Sequence, residues 1–127
     1  MHVCTLAYEG KCHLNIIVNI HGTEKPFNVL IDTGFTSGTG FGLKLPAEDA
    51  KYAKFTGSGT VKVADGREVN AASIPDAKIV QIEQHRVTHA RNTPTIFLGP
   101  SGVIGVLFLQ SCHICFDGPN KNTIFRF

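Results

Sequence analysis

An apolar run in the first quarter of the chain, Asn28-Val29-Leu30-Ile31, stops at a carboxylate, a hydroxyl and a glycine, Asp32-Thr33-Gly34. The apolar flank penalises a bare charge, so two such groups brought together would share a proton. The ionised member of the pair could then take a proton from water while the protonated member gives one to a carbonyl oxygen. Gly34 lacks a Cβ and lets a second backbone come close. Taken alone, the triplet also fits an ordinary turn or the start of a helix. Its meaning depends on what surrounds it.

Other residues capable of chemistry carry less. Cys112 and Cys115 form a Cys-x-x-Cys pair, with Cys4, Cys12, His13 and His113 as further candidate ligands. A zinc site usually shows two closely spaced pairs, and Cys4 and Cys12 are not closely spaced. A redox pair would open a helix in a βαβ frame, which the pattern lacks. Buried strand thiols are the expectation, and no metal is assigned. Gly38-Thr39-Gly40-Phe41-Gly42 and Gly57-Ser58-Gly59-Thr60 are glycine-rich, but neither opens a helix after a strand nor ends in Gly-Lys-Ser/Thr, so nucleotide binding is not expected. The cluster His85-Arg86-Val87-Thr88-His89-Ala90-Arg91 reads as a solvated strand or loop face. With a formal charge of only +2, no nucleic-acid partner is implied.

The elements that must position Asp32 read as β-strands. In Cys12 to Ile20, residues 12, 14, 16, 18 and 20 are apolar on one parity, while His13, Asn15 and Asn19 lie on the other. That alternation predicts a half-buried strand. Gly22-Thr23-Glu24-Lys25-Pro26 is expected to turn the chain, and Phe27 to Ile31 to form the strand that delivers Asp32. Leu45 to Ala53 allows two helical turns. Thr60 to Val69 alternates about Asp65-Gly66, the signature of a hairpin. Further strands are expected at Lys78 to Ile82, His85 to Arg91, Thr95 to Leu98 and Val103-Ile104. A short helix follows from Gly105 to Gln110, and strands Cys112 to Asp117 and Thr123 to Phe127 close the domain.

Composition agrees with one folded, turn-rich β domain spanning residues 1–127: 43% hydrophobic and 17% charged, with 13 glycines and 6 prolines. At 127 residues the chain makes one domain and carries a single Asp-Thr-Gly. No run approaches the roughly eighteen apolar residues of a membrane span, and the N-terminus lacks a signal-peptide pattern, so the expectation is a cytoplasmic protein with free thiols and no membrane partner.

The order of these segments resembles the retropepsin-like aspartic protease family. There, an apolar-apolar-Asp-Thr/Ser-Gly strand end precedes a flap hairpin, then an apolar-apolar-Gly element with a short helix, here Val103-Ile104-Gly105, and closing strands. The match runs from about Cys12 to Phe127. Phe35-Thr36 and Leu45-Pro46 look closest to the bacterial and archaeal cellular branch. The resemblance implies an all-β, single-lobed acid-protease β-barrel with a flap hairpin and one or two short helices. It implies no cofactor.

It further implies an aspartic endopeptidase acting on peptide or protein substrates as a homodimer, with Asp32, Thr33 and Gly34 catalytic. Phe35 and Thr36, with Ala64, Asp65 and Gly66 at the flap tip, would face substrate. Thr33 would brace the dyad across the interface, Gly34 would offer its carbonyl to substrate, and Ile104-Gly105 would pack behind the site. Phe35-Thr36 replaces the Ala-Asp of retroviral enzymes, and Val106-Leu107 stands where many relatives carry a polar residue. Met1 to Tyr8 and Thr123 to Phe127 are the expected intersubunit strands. The alternatives are a non-cleaving binding or regulatory module of the same fold, and a metal- or redox-responsive β protein using Cys112 and Cys115.

Overall fold

The computed structural model describes residues 2–32, 41–44, 54–62, 66, 68–74, 77–87, 95–97, 102–105, 109 and 112–127. The strands, in chain order, are β1 (Val3–Ala7), β2 (His13–Ile20), β3 (Thr23–Ile31), β4 (Phe41–Leu43), β5 (Lys54–Lys62), β6 (Glu68–Ser73), β7 (Lys78–Ile82), β8 (His85–Arg86), β9 (Thr95–Phe97), β10 (Gly102–Ile104), β11 (His113–Asp117) and β12 (Asn122–Arg126). They form a nine-stranded sheet in the order β5-β6-β9-β4-β10-β3-β2-β7-β8 and a three-stranded sheet in the order β1-β12-β11. The fold is all-β. The pairings among the described residues leave β5 and β8 as edges rather than joining them into a ring.

The period-two pattern of β2 determines which way it faces. Leu14, Ile16, Val18 and Ile20 are buried together with Cys12, while His13 and Asn15 are exposed. These side chains form the core with Val29, Leu43, Ile74, Ile79, Ile82, Ile104 and Phe125. β2 returns into β3 earlier than the sequence suggests. His21 and Gly22 hold φ of 48° and 87°, as a tight two-residue hairpin turn requires. The Gly22 amide donates to Asn19 Oδ1 at 2.9 Å, and pairing resumes at once with Ile20 opposite Thr23.

The expected turn from Gly22 to Pro26 is therefore mostly strand. Pro26 is tolerated because β10 pairs with β3 only at Val29–Ile31 and does not reach it. At the other end of β2, the Glu83 amide donates to the Asn15 carbonyl at 2.7 Å, and the Asn15 amide donates to Glu83 Oε1 at 2.8 Å. A carboxylate here stands in for a strand carbonyl and prolongs the β2–β7 ladder by one rung. This arrangement holds Glu83 at φ 50°.

Of the solvated face expected over 85–91, the described residues show Arg86 exposed and His85 half-buried. β8 covers only His85 and Arg86. His85 is half-buried, its ring 4.4 Å from that of His2 and 6.0 Å from that of Phe127. Arg86 is exposed and forked onto Glu24 at 2.9 and 3.0 Å, which lowers the Glu24 carboxyl pKa from its usual value. Positions 88–91 lie outside the described residues, as does the helix expected over 45–53.

Leu109 is helical, its amide bonded to the Gly105 carbonyl at 3.0 Å, in keeping with a short helix after Gly105. Among the described residues no helix is long and apolar enough to cross a membrane.

The chain ends pair with each other. His2 and Phe127 exchange backbone hydrogen bonds at 2.8 and 3.1 Å, and β1 runs antiparallel to β12 from Val3–Arg126 to Ala7–Asn122. The terminal strands are thus not lone edges. β12 lies between β1 and β11, and only the outer strands of this sheet have a free side among the described residues.

Candidate active site

Asp32 is the first residue after β3, and its backbone is bonded to β10. β10 runs parallel to β3, with Gly102, Val103 and Ile104 opposite Val29, Leu30 and Ile31. The next rung belongs to the aspartate, whose amide donates to the Ile104 carbonyl at 2.9 Å. On the other side, the Ile31 amide donates to the Cys12 carbonyl at 2.9 Å. β4 then packs antiparallel on the far side of β10, with Phe41 opposite Ile104. Asp32 and Phe41 therefore both meet the same residue of β10, Ile104.

The floor beneath this point is apolar and closed. Val29, Leu43 and Ile104 have no solvent exposure, and Gly105 is buried. Gly102 is needed for close approach: a Cβ there would lie 3.0 Å from the Gly42 carbonyl oxygen and 3.0 Å from Val29 Cγ1. Asp32 itself is half-buried, so its carboxylate sits at the rim of an apolar wall. That position can present an acid to a reactant while its backbone stays fixed.

Thr33, Gly34, Phe35 and Thr36 lie outside the described residues, as do Ala64 and Asp65. Gly66 is described and is exposed, with φ 86°. The hairpin expected about Asp65-Gly66 exists as β5–β6, in a register one step from that of a two-residue turn. Thr60, Val61 and Lys62 oppose Asn70, Val69 and Glu68, which centres the hairpin on Asp65. A left-handed glycine late in the loop is what an odd-numbered hairpin connection calls for. Gly57-Ser58-Gly59 falls in β5 where its register with β6 shifts between Phe55 and Thr60, so these glycines mark an irregularity in a strand.

Cys4 and Cys12 are buried, and burial raises both thiol pKa values; Glu83 adds to the rise, and the Thr123 hydroxyl beside Cys12 partly offsets it there. That hydroxyl is fully buried and faces Cys12 without a regular hydrogen bond. Cys112 is half-buried ahead of β11 and Cys115 is exposed within it; all four cysteines are free thiols. Among the described residues no three His, Cys, Asp or Glu side chains gather into a metal-holding group.

A cleft of about 390 Å³ lies over β2, β3 and β7, lined by Ile17, Pro26, Phe27 and Glu83 among others, and Asp32 is not among its walls. The sequence reading missed the Glu83 rung and the His2–His85–Phe127 stack. Both join residues far apart in the chain, and neither leaves a local pattern.

No protein-family model matches the chain, and no curated protein matches it in sequence. In three dimensions it is similar to the crystal structure of a retropepsin-like aspartic protease from Rickettsia conorii. The TM-score is 0.61 over 99% of this chain and 91% of that one, at 17% sequence identity. At that identity the likeness speaks for architecture alone: the strands that deliver and brace Asp32 are assembled in a retropepsin-like fold.

Proposed function

We propose that the chain is an aspartic endopeptidase, active as a homodimer in which the Asp32 side chains of two copies meet at a twofold axis. The observation that carries this reading is the position of Asp32. It is the one residue at which β3 ends, with its amide on the parallel strand β10, in a fold similar to an aspartic protease. A single copy brings one such carboxylate, and an isologous pair brings two from the same sequence position.

Two carboxylates about 3 Å apart do not both ionise and titrate as a pair that shares one proton. The ionised member takes a proton from a bound water, which attacks the peptide carbonyl, while the protonated member donates to the carbonyl oxygen. Water is the nucleophile, so no covalent link to the protein forms. On the family resemblance, Thr33 braces the pair and Gly34 contacts the substrate main chain. The β5–β6 hairpin with Gly66 serves as the flap, and Phe35 and Thr36 line the substrate channel.

Asp32→Asn tests the reading. The change keeps size at a half-buried position and removes the ionisable group. Cleavage of a peptide library should fall by roughly 10²–10⁴-fold or more, with the circular dichroism spectrum unchanged. Cleavage at the parent rate would show that the acid is not used.

A further inference from the structure

We propose that the cleft over β2, β3 and β7 takes an arginine side chain of a polypeptide, with its methylene stem on Ile17 and Pro26 and its guanidinium on the Glu83 carboxylate. The role of this site rests on the endopeptidase reading: it is an exosite that holds a protein substrate at an arginine away from the bond that is cut.

One residue of β2 breaks the strand's own alternation. His13, Asn15, Ile17 and Asn19 share the parity that faces away from the core, and Ile17 alone of them is apolar. The register sets Ile17 between Pro26 of β3 and Gln81 of β7, and Asn15 beside Asn28. Ile17 and the exposed Pro26, with the half-buried Phe27, give the cleft an apolar floor. Its volume of about 390 Å³ is enough for one long side chain.

The rim is polar, and its open groups are of one kind. The Asn28 side-chain amide donates to Asn15 Oδ1 at 2.8 Å, that of Asn15 donates to Glu83 Oε2 at 3.5 Å, and that of Gln81 donates to the Glu83 carbonyl at 2.9 Å. Turning any of these amides over would set oxygen against oxygen, so the directions follow from the partners. Among the described residues, Asn28 Oδ1 and Gln81 Oε1 accept no hydrogen bond, and Glu83 Oε2 accepts only the long one. Nitrogen is spent on the wall, and oxygen is left to the cleft.

A ligand that answers this rim brings donors and a positive charge. Glu83 supplies the formal negative charge. Arg86, opposite Gln81 on β8, does not neutralise it, because its guanidinium is forked onto Glu24 at 2.9 and 3.0 Å. The Glu83 carboxylate is also held ready: Oε1 accepts from the Asn15 backbone amide at 2.8 Å, and the Glu83 amide donates to the Asn15 carbonyl at 2.7 Å. Little ordering remains when a cation arrives. The acceptors are spread around the rim, which suits the planar, many-donor guanidinium better than the compact ammonium of lysine. The stem then lies along Ile17 and Pro26, as long basic side chains lie on apolar surface. An anionic ligand would meet carboxylate and amide oxygens instead.

The cleft stands clear of the acid. Asn28 precedes Asp32 by four residues on β3, about 13 Å at the rise of a strand, and Asp32 is not among the cleft's walls. An arginine seated here leaves the carboxylate untouched.

The experiment uses the full chain carrying Asp32→Asn, so that binding is read without cleavage. The probe is a blocked alanine pentapeptide with a central arginine, and the control is the same peptide with citrulline, which keeps the shape and lacks the charge. In an isotope-edited NMR titration the arginine peptide should bind roughly tenfold or more tightly than the control, as one charge-assisted hydrogen bond implies. It should also shift the side-chain amide signals of Asn15, Asn28 and Gln81. Glu83→Gln keeps an oxygen for the Asn15 amide and removes the charge, so the preference for arginine should vanish. Pro26→Lys, at an exposed position, sets the chain's own ammonium at the rim and should abolish binding with the circular dichroism spectrum unchanged. Equal binding of the two peptides, a preference that survives Glu83→Gln, or shifts confined to other residues overturns the site. Spermidine that occupies the cleft more tightly than the arginine peptide also overturns it, in favour of a free polyamine. Arginine binding as expected, with no cleavage by the parent chain, upholds the site and defeats the endopeptidase reading. Cleavage by the parent with no preference for arginine does the reverse.

Discussion

β3, which ends at Asp32, and β11, which lies at a sheet edge, have surroundings that differ in kind. β3 has β2 on one side and β10 on the other where it approaches Asp32, and β10 is in turn backed by β4. β11 has β12 on one side and nothing among the described residues on the other. Fixing a reacting group calls for backbone bonds on every side, so that the group cannot drift by the ångström that costs rate. The first strand lies in the middle of a large sheet and the second at the rim of a small one.

Two phenylalanines on the inward face of the small sheet test this contrast most strongly. Phe125 has no exposure and Phe116 is 50% exposed. Phe125→Ala is expected to cost about 3–5 kcal/mol of stability, and Phe116→Ala under about 1 kcal/mol, both read from urea unfolding of dilute protein. Equal losses would mean that a single copy already covers Phe116.

The next largest effect concerns the wall under Asp32. Gly102→Ala places a methyl group 3.0 Å from the Gly42 carbonyl oxygen and 3.0 Å from the fully buried Val29 Cγ1. It should cost about 1–3 kcal/mol and lower peptide cleavage by more than the stability loss explains, because β10 carries the bond to Asp32. Full activity in a folded Gly102→Ala protein would separate the β10 brace from the catalytic position.

Much of this wall was readable in the sequence, and the pairing of the chain ends was not. A continuous apolar run such as Val29-Leu30-Ile31 or Val103-Ile104 marks a strand covered on both sides, and alternation in β2 marks one covered on a single face. Both patterns are local, and both strands stand where the spacing put them. Partner choice is not local. The sequence points to the terminal segments as strands but not to their pairing with each other, which β1 and β12 make within the chain. The same limit applies to Pro26. It reads as part of a turn, but it sits in a strand because β10 stops three residues short of it. The substrate-facing positions 33–36, 64 and 65 lie outside the described residues, so the site is legible here through Asp32 and its braces.

The smallest expected effect separates the inner and outer thiols. Burial raises the pKa of Cys4 and Cys12. The unfolded chain therefore loses these protons at lower pH than the folded one, so their contribution to stability is complete below the unfolded thiol value of about 8.5 and is lost as pH rises through the folded values. The melting temperature should decline above that point, and the decline should be shallower in a Cys4→Ala, Cys12→Ala variant. A decline identical in both proteins would assign it to other groups.

The central claim is that one active site is made from two copies of Asp32, and mixing tests it most directly. Asp32→Asn protein is exchanged with parent protein at constant total concentration, under conditions where subunits re-equilibrate, and peptide cleavage is measured against the parent fraction. If both carboxylates of a pair are needed, only parent–parent dimers cleave and activity follows the square of that fraction, about one quarter at an equal mixture. Activity that falls in simple proportion, to about one half at an equal mixture, would mean that each chain carries a complete site and would contradict the account.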